Sequence, residues 1–137
     1  YVRCSQYIGA RMSLTHPSDF ELAILRVLWR RKQATVREVH DDLQAERQQG
    51  YTTVLKSMQI MFEKGLVSRD ESQRSHVYFA EVEEAATRSN LVQDLADKAF
   101  GGSAVQLLLH ALHHQRPKAK ELDALQALIE AKRKERK

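Results

Sequence analysis

The segment from residue 51 to residue 64 has one polar side whose side chains could contact a DNA groove. That side offers hydroxyls, one lysine and one amide, and it has no carboxylate until Glu63. Such a surface can approach phosphates without repulsion, and an α-helix fits the major groove, where Gln pairs with adenine and Lys with guanine. An ordinary solvated helix face is the alternative. The candidate contacts are Tyr51, Thr52, Thr53, Lys56, Ser57 and Gln59.

The other side of the same segment is apolar and has the spacing of a buried helix face. Gly50 breaks the chain before it, and Gly65 ends it, because glycine is favoured just past a helix C-terminus. We therefore predict a helix over residues 51–64 that packs one face on a core and leaves its polar side free. The apolar residues at this spacing are Val54, Met58, Met61 and Phe62.

Two further helices precede this one, and each has a start signal. Ser18 is followed three residues later by Glu21, and Thr35 is followed in the same way by Glu38, which is the spacing of a capping box. The first helix is apolar over a broad surface, which implies that it lies between neighbouring elements. Thr35 is also included among the candidate DNA contacts. The predicted helices are 19–31 and, after Thr35, a second one that runs to about Arg47.

The pattern changes from helical to extended after Gly65. Residues 66–69 and 77–79 read as two short strands, and the polar loop 70–75 joins them. Three short helices followed by a β-hairpin are the order of a winged helix, and so small a hairpin must pack on the helices to be stable. We therefore predict a mostly α-helical fold with a small β-hairpin, a winged helix-turn-helix DNA-binding domain over residues 15–82.

The predicted wing adds Arg69 and Arg74 to the candidate DNA contacts. Cations here would lie where a winged helix touches the DNA backbone or the minor groove. Asp70 and Glu71 share the loop and would repel phosphate if they pointed toward it. A wing that only covers the core is the alternative.

Residues 83–137 are predicted to form three leucine-rich helices. They cover 83 to about 100, 104–114, and a last helix that starts at Pro117, and Gly101-Gly102 separates the first two. Helices this short cannot easily bury their apolar faces within one chain, so we expect a helical dimerisation region that pairs with a second copy. The expected dimer contacts are Leu91, Leu95, Leu107, Leu108, Leu112, Leu122, Leu125 and Ile129.

Composition and charge indicate less about the class of protein than the helix and strand patterns do. The net charge is +4, and residues 132–137 supply all of it with five basic residues and one acid, so charge alone does not indicate DNA. No apolar run approaches the roughly 18 residues of a membrane span, and we expect a cytoplasmic protein without direct membrane binding. Residues 1–14 are expected to be a flexible extension. It holds the single cysteine, Cys4, which excludes an internal disulfide.

Other classes of function have less support from the sequence. His110, His113 and His114 can share a helix face, and imidazoles at that spacing can ligate zinc, which makes a metal-responsive regulator one alternative to a solvated helix edge. An enzyme is not expected, because the Gly-rich phosphate loop and the His-Glu-x-x-His and Gly-x-Ser-x-Gly motifs are absent. No cofactor or resident metal is expected. A winged helix that only binds another protein is the second alternative.

Several of these segments also resemble a known family, the BlaI/MecI penicillinase repressors. The most specific part is the Tyr-Thr-Thr-Val start of the third helix together with its Lys-Gly-Leu-Val ending. The resemblance extends over nearly everything from residue 15 onward. The matching segments are 22–29, 35–39, 51–54, 63–67, the wing with Tyr78, and Gly101-Gly102.

This resemblance implies a homodimeric transcriptional repressor on a dyad operator, built on TACA/TGTA half-sites in front of resistance or stress-response genes. It also implies release through a membrane sensor protease that triggers cleavage in the helix after Gly101-Gly102. The chain departs from the family there, since the matching bond is His110-Ala111 where the best-studied members have Asn-Phe. It also lacks the C-terminal cysteine cluster of the copper-responsive branch, which excludes a copper role through that motif.

Overall fold

The structure, a computed structural model, describes residues 16–136, so the expected extension 1–14 with Cys4 lies outside the described residues. The chain divides into two units, of which the first ends at Ser89 and the second begins at Asn90, within a helix. The elements are α1 (Asp19–Arg31), β1 (Ala34–Thr35), α2 (Val36–Leu43), α3 (Tyr51–Lys64), β2 (Val67–Asp70), β3 (Val77–Ala80), α4 (Glu84–Ala99), α5 (Ala104–His113) and α6 (Ala119–Glu135).

Both predicted capping boxes are present and fix where α1 and α2 begin. The Ser18 hydroxyl accepts from the Glu21 amide at 3.2 Å, and the Glu21 carboxylate accepts from the Ser18 amide at 2.9 Å. Thr35 and Glu38 repeat the pattern at 3.2 and 2.9 Å. Each box satisfies two amides that would otherwise lack partners at a helix start.

The prediction that α2 continues to about Arg47 is wrong, because the helix ends at Leu43. The Gln44 amide bonds to the Asp41 carbonyl, three residues back, which tightens the last turn. The Leu43 carbonyl then accepts from the amides of both Glu46 and Arg47, and this turn leads toward α3.

Helix α3 has the predicted bounds. It ends at Gly65, whose φ of 85° lies in the left-handed region that glycine adopts without strain. Its inner face is buried at Val54, Met58 and Met61 and packs on apolar residues of α1 and α2. The core of the first unit comprises Ala23, Ile24, Leu25, Val27, Leu28, Ala34, Val36, Val39, Leu43, Val54, Met58, Met61, Leu66, Val67, Tyr78 and Val82.

The hairpin is part of a three-stranded antiparallel sheet with the order β1-β3-β2. Ser68 pairs with Phe79 and Arg69 with Tyr78. Strand β2 begins and ends one residue later than predicted, and β3 begins at the predicted residue and ends one residue later. Strand β1 was not predicted, because two residues are too short to show a period. Ala34 of β1 pairs with Tyr78, which joins the start of α2 to the wing.

Two long-range polar contacts hold the ends of the helices. The buried Glu21 carboxylate accepts from Lys64 Nζ at 2.8 Å, which ties the start of α1 to the end of α3. Trp29 Nε1 donates to the Val82 carbonyl at 3.0 Å, which ties α1 to the segment after β3. Together with the core, the contact between Glu21 and Lys64 fixes α3 against α1, and the contact between Trp29 and Val82 fixes the segment after β3.

The second unit contains the end of α4 followed by α5 and α6. Gly101 and Gly102 have φ of 58° and 87°, and the Gly102 amide bonds to the Ala96 carbonyl, which closes α4. Pro117 was predicted to start the last helix, but α6 begins two residues later, after Lys118, whose amide donates to the Glu121 carboxylate at 2.8 Å. Among the described residues, no helix has the length and apolar character needed to cross a membrane.

Candidate nucleic-acid interface

Within the first unit, helix α3 has one buried apolar face and one exposed polar face. Val54, Met58 and Met61 have no exposed surface, while the side chains on the other side reach solvent. Five of the six predicted contacts on α3 are exposed and the sixth, Ser57, is half-buried. The exposed five are Tyr51, Thr52, Thr53, Lys56 and Gln59.

A cleft of about 290 Å³ opens between the start of α2, the outer side of α3 and the wing. Five predicted site residues from three separate parts of the chain line this cleft, while Thr52, Thr53, Lys56 and Ser57 do not. The fold therefore brings the wing and the polar face of α3 together at one edge of the unit. The five lining residues are Thr35, Tyr51, Gln59, Arg69 and Arg74.

Thr35 has a structural role in addition to its position at the cleft. Its hydroxyl accepts from the Glu38 amide and lies 3.4 Å from the Glu38 carboxylate, so both of its hydrogen-bonding functions are used within α2. It also pairs with Val77 in the sheet. The side chain thus begins α2 and holds it to the wing.

Arg69 is committed to partners within the wing. Its guanidinium lies 4.0 Å from the centre of the Phe62 ring and donates to the Tyr78 hydroxyl at 3.2 Å. It also forms an ion pair with Glu71, which lowers the pKa of that carboxyl below its ordinary value. These contacts fasten β2 to α3 and keep Glu71 ionised.

The two acids of the wing loop are both held by neighbours. Glu71 is paired with Arg69. The Asp70 carboxylate accepts from the Ser72 amide at 2.9 Å, and this hydrogen bond lowers the pKa of Asp70 below its ordinary value. The ion pair with Arg69 therefore reduces the repulsion of phosphate by Glu71, whereas Asp70 keeps its negative charge.

Arg74 and Lys56 differ from Arg69. Both side chains are exposed, and among residues 16–136 neither has an ion pair or a hydrogen bond to a side chain. Several other cations among residues 16–89 have carboxylate partners, such as Arg26 with Glu46. The wing tip and the middle of α3 therefore carry positive charge that no neighbouring acid compensates.

Arg37 also lines the cleft and was not among the predicted site residues. It is the second residue of α2, and its guanidinium lies 4.5 Å from the centre of the Tyr51 ring. His40 contacts the same ring edge-on, with a centroid distance of 6.0 Å. The available signal was an arginine two residues after Thr35, in a segment singled out only as a family motif.

The second unit exposes the leucines that the sequence assigned to a dimer contact. Within the described chain, no residue of α5 or α6 is buried. Four of the eight predicted contacts are half-buried and four are 43 to 54% exposed. The half-buried ones are Leu91, Leu107, Leu112 and Leu125, and the exposed ones are Leu95, Leu108, Leu122 and Ile129.

The three histidines of the second unit contact one another at the end of α5. The His110 and His114 ring centroids are 4.6 Å apart, and those of His113 and His114 are 5.3 Å apart. In the described part of the chain, no group of three or more His, Cys, Asp or Glu residues is arranged to hold a metal ion.

Three helices and an antiparallel hairpin, with the third helix exposed on one side beside the wing, define a winged-helix protein. The sequence model of the penicillinase repressor family matches residues 17–131. This chain belongs to that family, whose members are transcriptional repressors and not enzymes.

Individual proteins are also similar to this chain. The transcriptional regulator BlaI of Mycobacterium tuberculosis is 35% identical over 118 residues, which cover 85% of this chain and 84% of that protein. The methicillin resistance regulatory protein MecI of Mammaliicoccus sciuri is 19% identical over 84% of this chain and 94% of its own length. A solution structure of the DNA-binding domain of the repressor BlaI covers 52% of this chain and 89% of that chain, with 23% identity and a TM-score of 0.46.

Proposed function

We propose that this repressor binds a dyad-symmetric duplex DNA operator as a homodimer and reads it with α3. The observation that carries this proposal is the exposed face of α3, which has no carboxylate before Glu63 and lies beside a cleft with uncompensated arginine. A major groove admits an α-helix, and hydroxyl, amide and lysine side chains can bond to base edges there.

The residues of α3 would divide the work by their position. Thr53 and Gln59 are exposed and uncharged, so they suit base edges, where specificity arises. Lys56 carries an unpaired charge between them and suits guanine or phosphate. Arg74 in the wing would contact the backbone, while Arg69 would hold the wing in place through Glu71 and Tyr78.

Dimerisation is proposed for the second unit because its apolar side chains lack cover within that unit. Leu108, Leu122 and Ile129 are each 43% exposed or more, and α5 and α6 bury no residue of their own. A second copy of this chain is the partner we propose for these apolar faces, because a two-fold symmetric dimer matches a two-fold symmetric operator. A two-fold dimer would set its two α3 helices about 34 Å apart, or a multiple of that distance.

Control of resistance or stress-response genes and a cytoplasmic location belong to the same proposal. The name of the MecI relative refers to methicillin resistance, and a repressor acts where the chromosome is. Release from DNA would follow when the second unit is cleaved or partly unfolded, because each monomer alone would bind one half-site weakly. A membrane sensor protease could trigger that step, although α5 has His110-Ala111 at the matching bond.

Substitutions in α3 test the proposal. Operator DNA is first obtained by footprinting the region upstream of the chain's own gene. Thr53→Ala and Gln59→Ala should each lower discrimination between operator and random duplex by about 1–3 kcal/mol, because they remove contacts to base edges. Ser89→Ala, exposed on α4 away from this face, is the control. If both α3 variants bind the operator as the parent protein does, α3 does not read DNA.

A further inference from the structure

We infer that Arg37 of α2 is a second DNA-backbone contact, on the wall of the cleft opposite the wing, and that the Tyr51 ring holds its guanidinium in place. This inference rests on the proposed DNA binding by α3 and adds a contact that lies on a different helix. Three observations support it: Arg37 lies in the cleft, has no carboxylate partner among residues 16–136, and stacks on the Tyr51 ring.

The cleft has cations on two sides. Arg37 lies on α2 and Arg74 lies on the wing, while Gln59 and Tyr51 belong to α3. A phosphate backbone that enters the cleft beside α3 would therefore meet a guanidinium from either side. Arginine suits this role because its planar fork of donors matches the oxygens of a phosphate.

Helix α2 has three acids near enough in sequence to neutralise Arg37, but each is engaged elsewhere. Glu38 accepts from the Thr35 amide and lies 3.5 Å from Arg31. Asp42 bonds to Arg30 and Arg31 at the end of α1. Asp41 lies 3.3 Å from His40.

The ion pairs compensate some arginines of the domain and leave others uncompensated. The arginines at the end of α1 are neutralised by α2, as described above, and Arg69 is neutralised by Glu71. Among residues 16–136, no carboxylate forms an ion pair with Arg37 or Arg74. The uncompensated arginines thus include both that face each other across the cleft.

The Tyr51 ring gives Arg37 a fixed position. A guanidinium 4.5 Å from a ring centre is attracted to the ring face, and His40 supports the ring from its edge. Because the side chain is already ordered, less conformational entropy is lost when it binds a phosphate. Tyr51 remains 37% exposed, so it can hold Arg37 while facing DNA itself.

A backbone contact and a base contact give different signatures in binding measurements. Each phosphate that a cation neutralises adds about 0.9 to the slope of log affinity against log salt. Loss of Arg37 should therefore lower operator and random-duplex affinity by the same factor, roughly three- to tenfold at low salt, and lower the slope by about one unit per bound subunit. Discrimination between the two duplexes should stay unchanged.

The experiment uses the full chain with Arg37→Ala, Arg37→Lys and the control Arg26→Ala, which removes an exposed, paired arginine of α1. Fluorescence anisotropy with operator and random duplexes is measured at several salt concentrations, and thermal unfolding monitors the fold. We expect Arg37→Ala to reduce the slope, Arg37→Lys to restore it with weaker affinity, and Arg26→Ala to keep it.

Three results would overturn the inference. An Arg37→Ala slope equal to that of the parent protein would assign Arg37 to solvent, and a loss of operator binding alone would make it a base reader. Failure of Arg37→Lys to restore the slope would indicate that Arg37 acts through packing. If the parent protein itself binds no duplex in a salt-dependent way, the proposed function fails instead, and the two failures are thereby distinguished.

Discussion

Replacing Asp42 should loosen the joint between α1 and α2 at neutral pH but not in strong acid. Asp42 accepts from Arg30 at 2.9 Å and from Arg31 at 2.7 and 3.0 Å. The hydrogen bond from Arg31 is the main cause that lowers the pKa of Asp42 from 3.8 to about 2. The carboxylate is 19% exposed, whereas the two arginines are 62% and 37% exposed.

The pKa change sets the size and the pH range of the effect. Taken in full, it corresponds to about 2.4 kcal/mol, at about 1.36 kcal/mol per pKa unit. Solvent screening at the exposed arginines reduces the expected loss in Asp42→Asn to about 1 kcal/mol. Because the pKa in the folded state is the lower one, this stabilisation is present above pH 4 and disappears as the pH falls from about 4 to about 2.

The assay is urea-induced unfolding of parent, Asp42→Asn and Asp41→Asn proteins at several pH values between 7 and 2.5. Asp41 is the matched control, because it is the neighbouring acid of α2, is 62% exposed and lies 3.3 Å from His40. We expect a deficit for Asp42→Asn at pH 7 that narrows below pH 4. A deficit no larger than that of Asp41→Asn, or one that stays constant down to pH 2.5, would show that the ionised Asp42 carboxylate does not stabilise the contact between α1 and α2.

Three further predictions concern the wing, α4 and the second unit. Arg74→Ala should weaken DNA binding and lower the salt slope by about one unit per subunit, and an unchanged slope would assign Arg74 to solvent. The Thr87 hydroxyl is buried without a hydrogen-bond partner among the described residues. Thr87→Val should therefore raise the free energy of unfolding by up to about 1 kcal/mol, and a lower free energy of unfolding in urea titration would contradict this. Truncation after Ser89, which keeps the whole first unit, should yield a protein that is monomeric by mass measurement and binds the operator more weakly. A truncated protein that stays dimeric, or a monomer that binds the full operator as tightly as the intact chain, would contradict dimerisation through the second unit.

The elements of the first unit could be predicted because each carries a local signal. Ser18 with Glu21 and Thr35 with Glu38 mark helix starts, and Gly65 marks the end of α3. Strand β1 and the early end of α2 could not be predicted. Both depend on partners distant in sequence or on a turn, and neither has a pattern of its own.

The candidate site was predictable in its residue types but not in their partners. The polar face of α3 follows from helical spacing alone. Whether an arginine is free or paired depends on which acids other elements bring near. The sequence did not show that Arg69, a predicted DNA contact, is also held by Glu71 and Tyr78. It also did not show that the charge of Arg37 is uncompensated, because that depends on Glu38 and Asp42 being engaged elsewhere.

The most direct test of DNA reading by α3 is a selection of binding sites from a random duplex library with the full chain, followed by salt titration of the selected duplex. We expect a single motif with two-fold symmetry, half-sites about 10 bp or a multiple of it apart, and affinity that falls steeply with salt. We also expect Thr53→Ala and Gln59→Ala to weaken the preference for that motif. Recovery of no symmetric motif, together with affinity that does not depend on salt, would contradict DNA reading by α3.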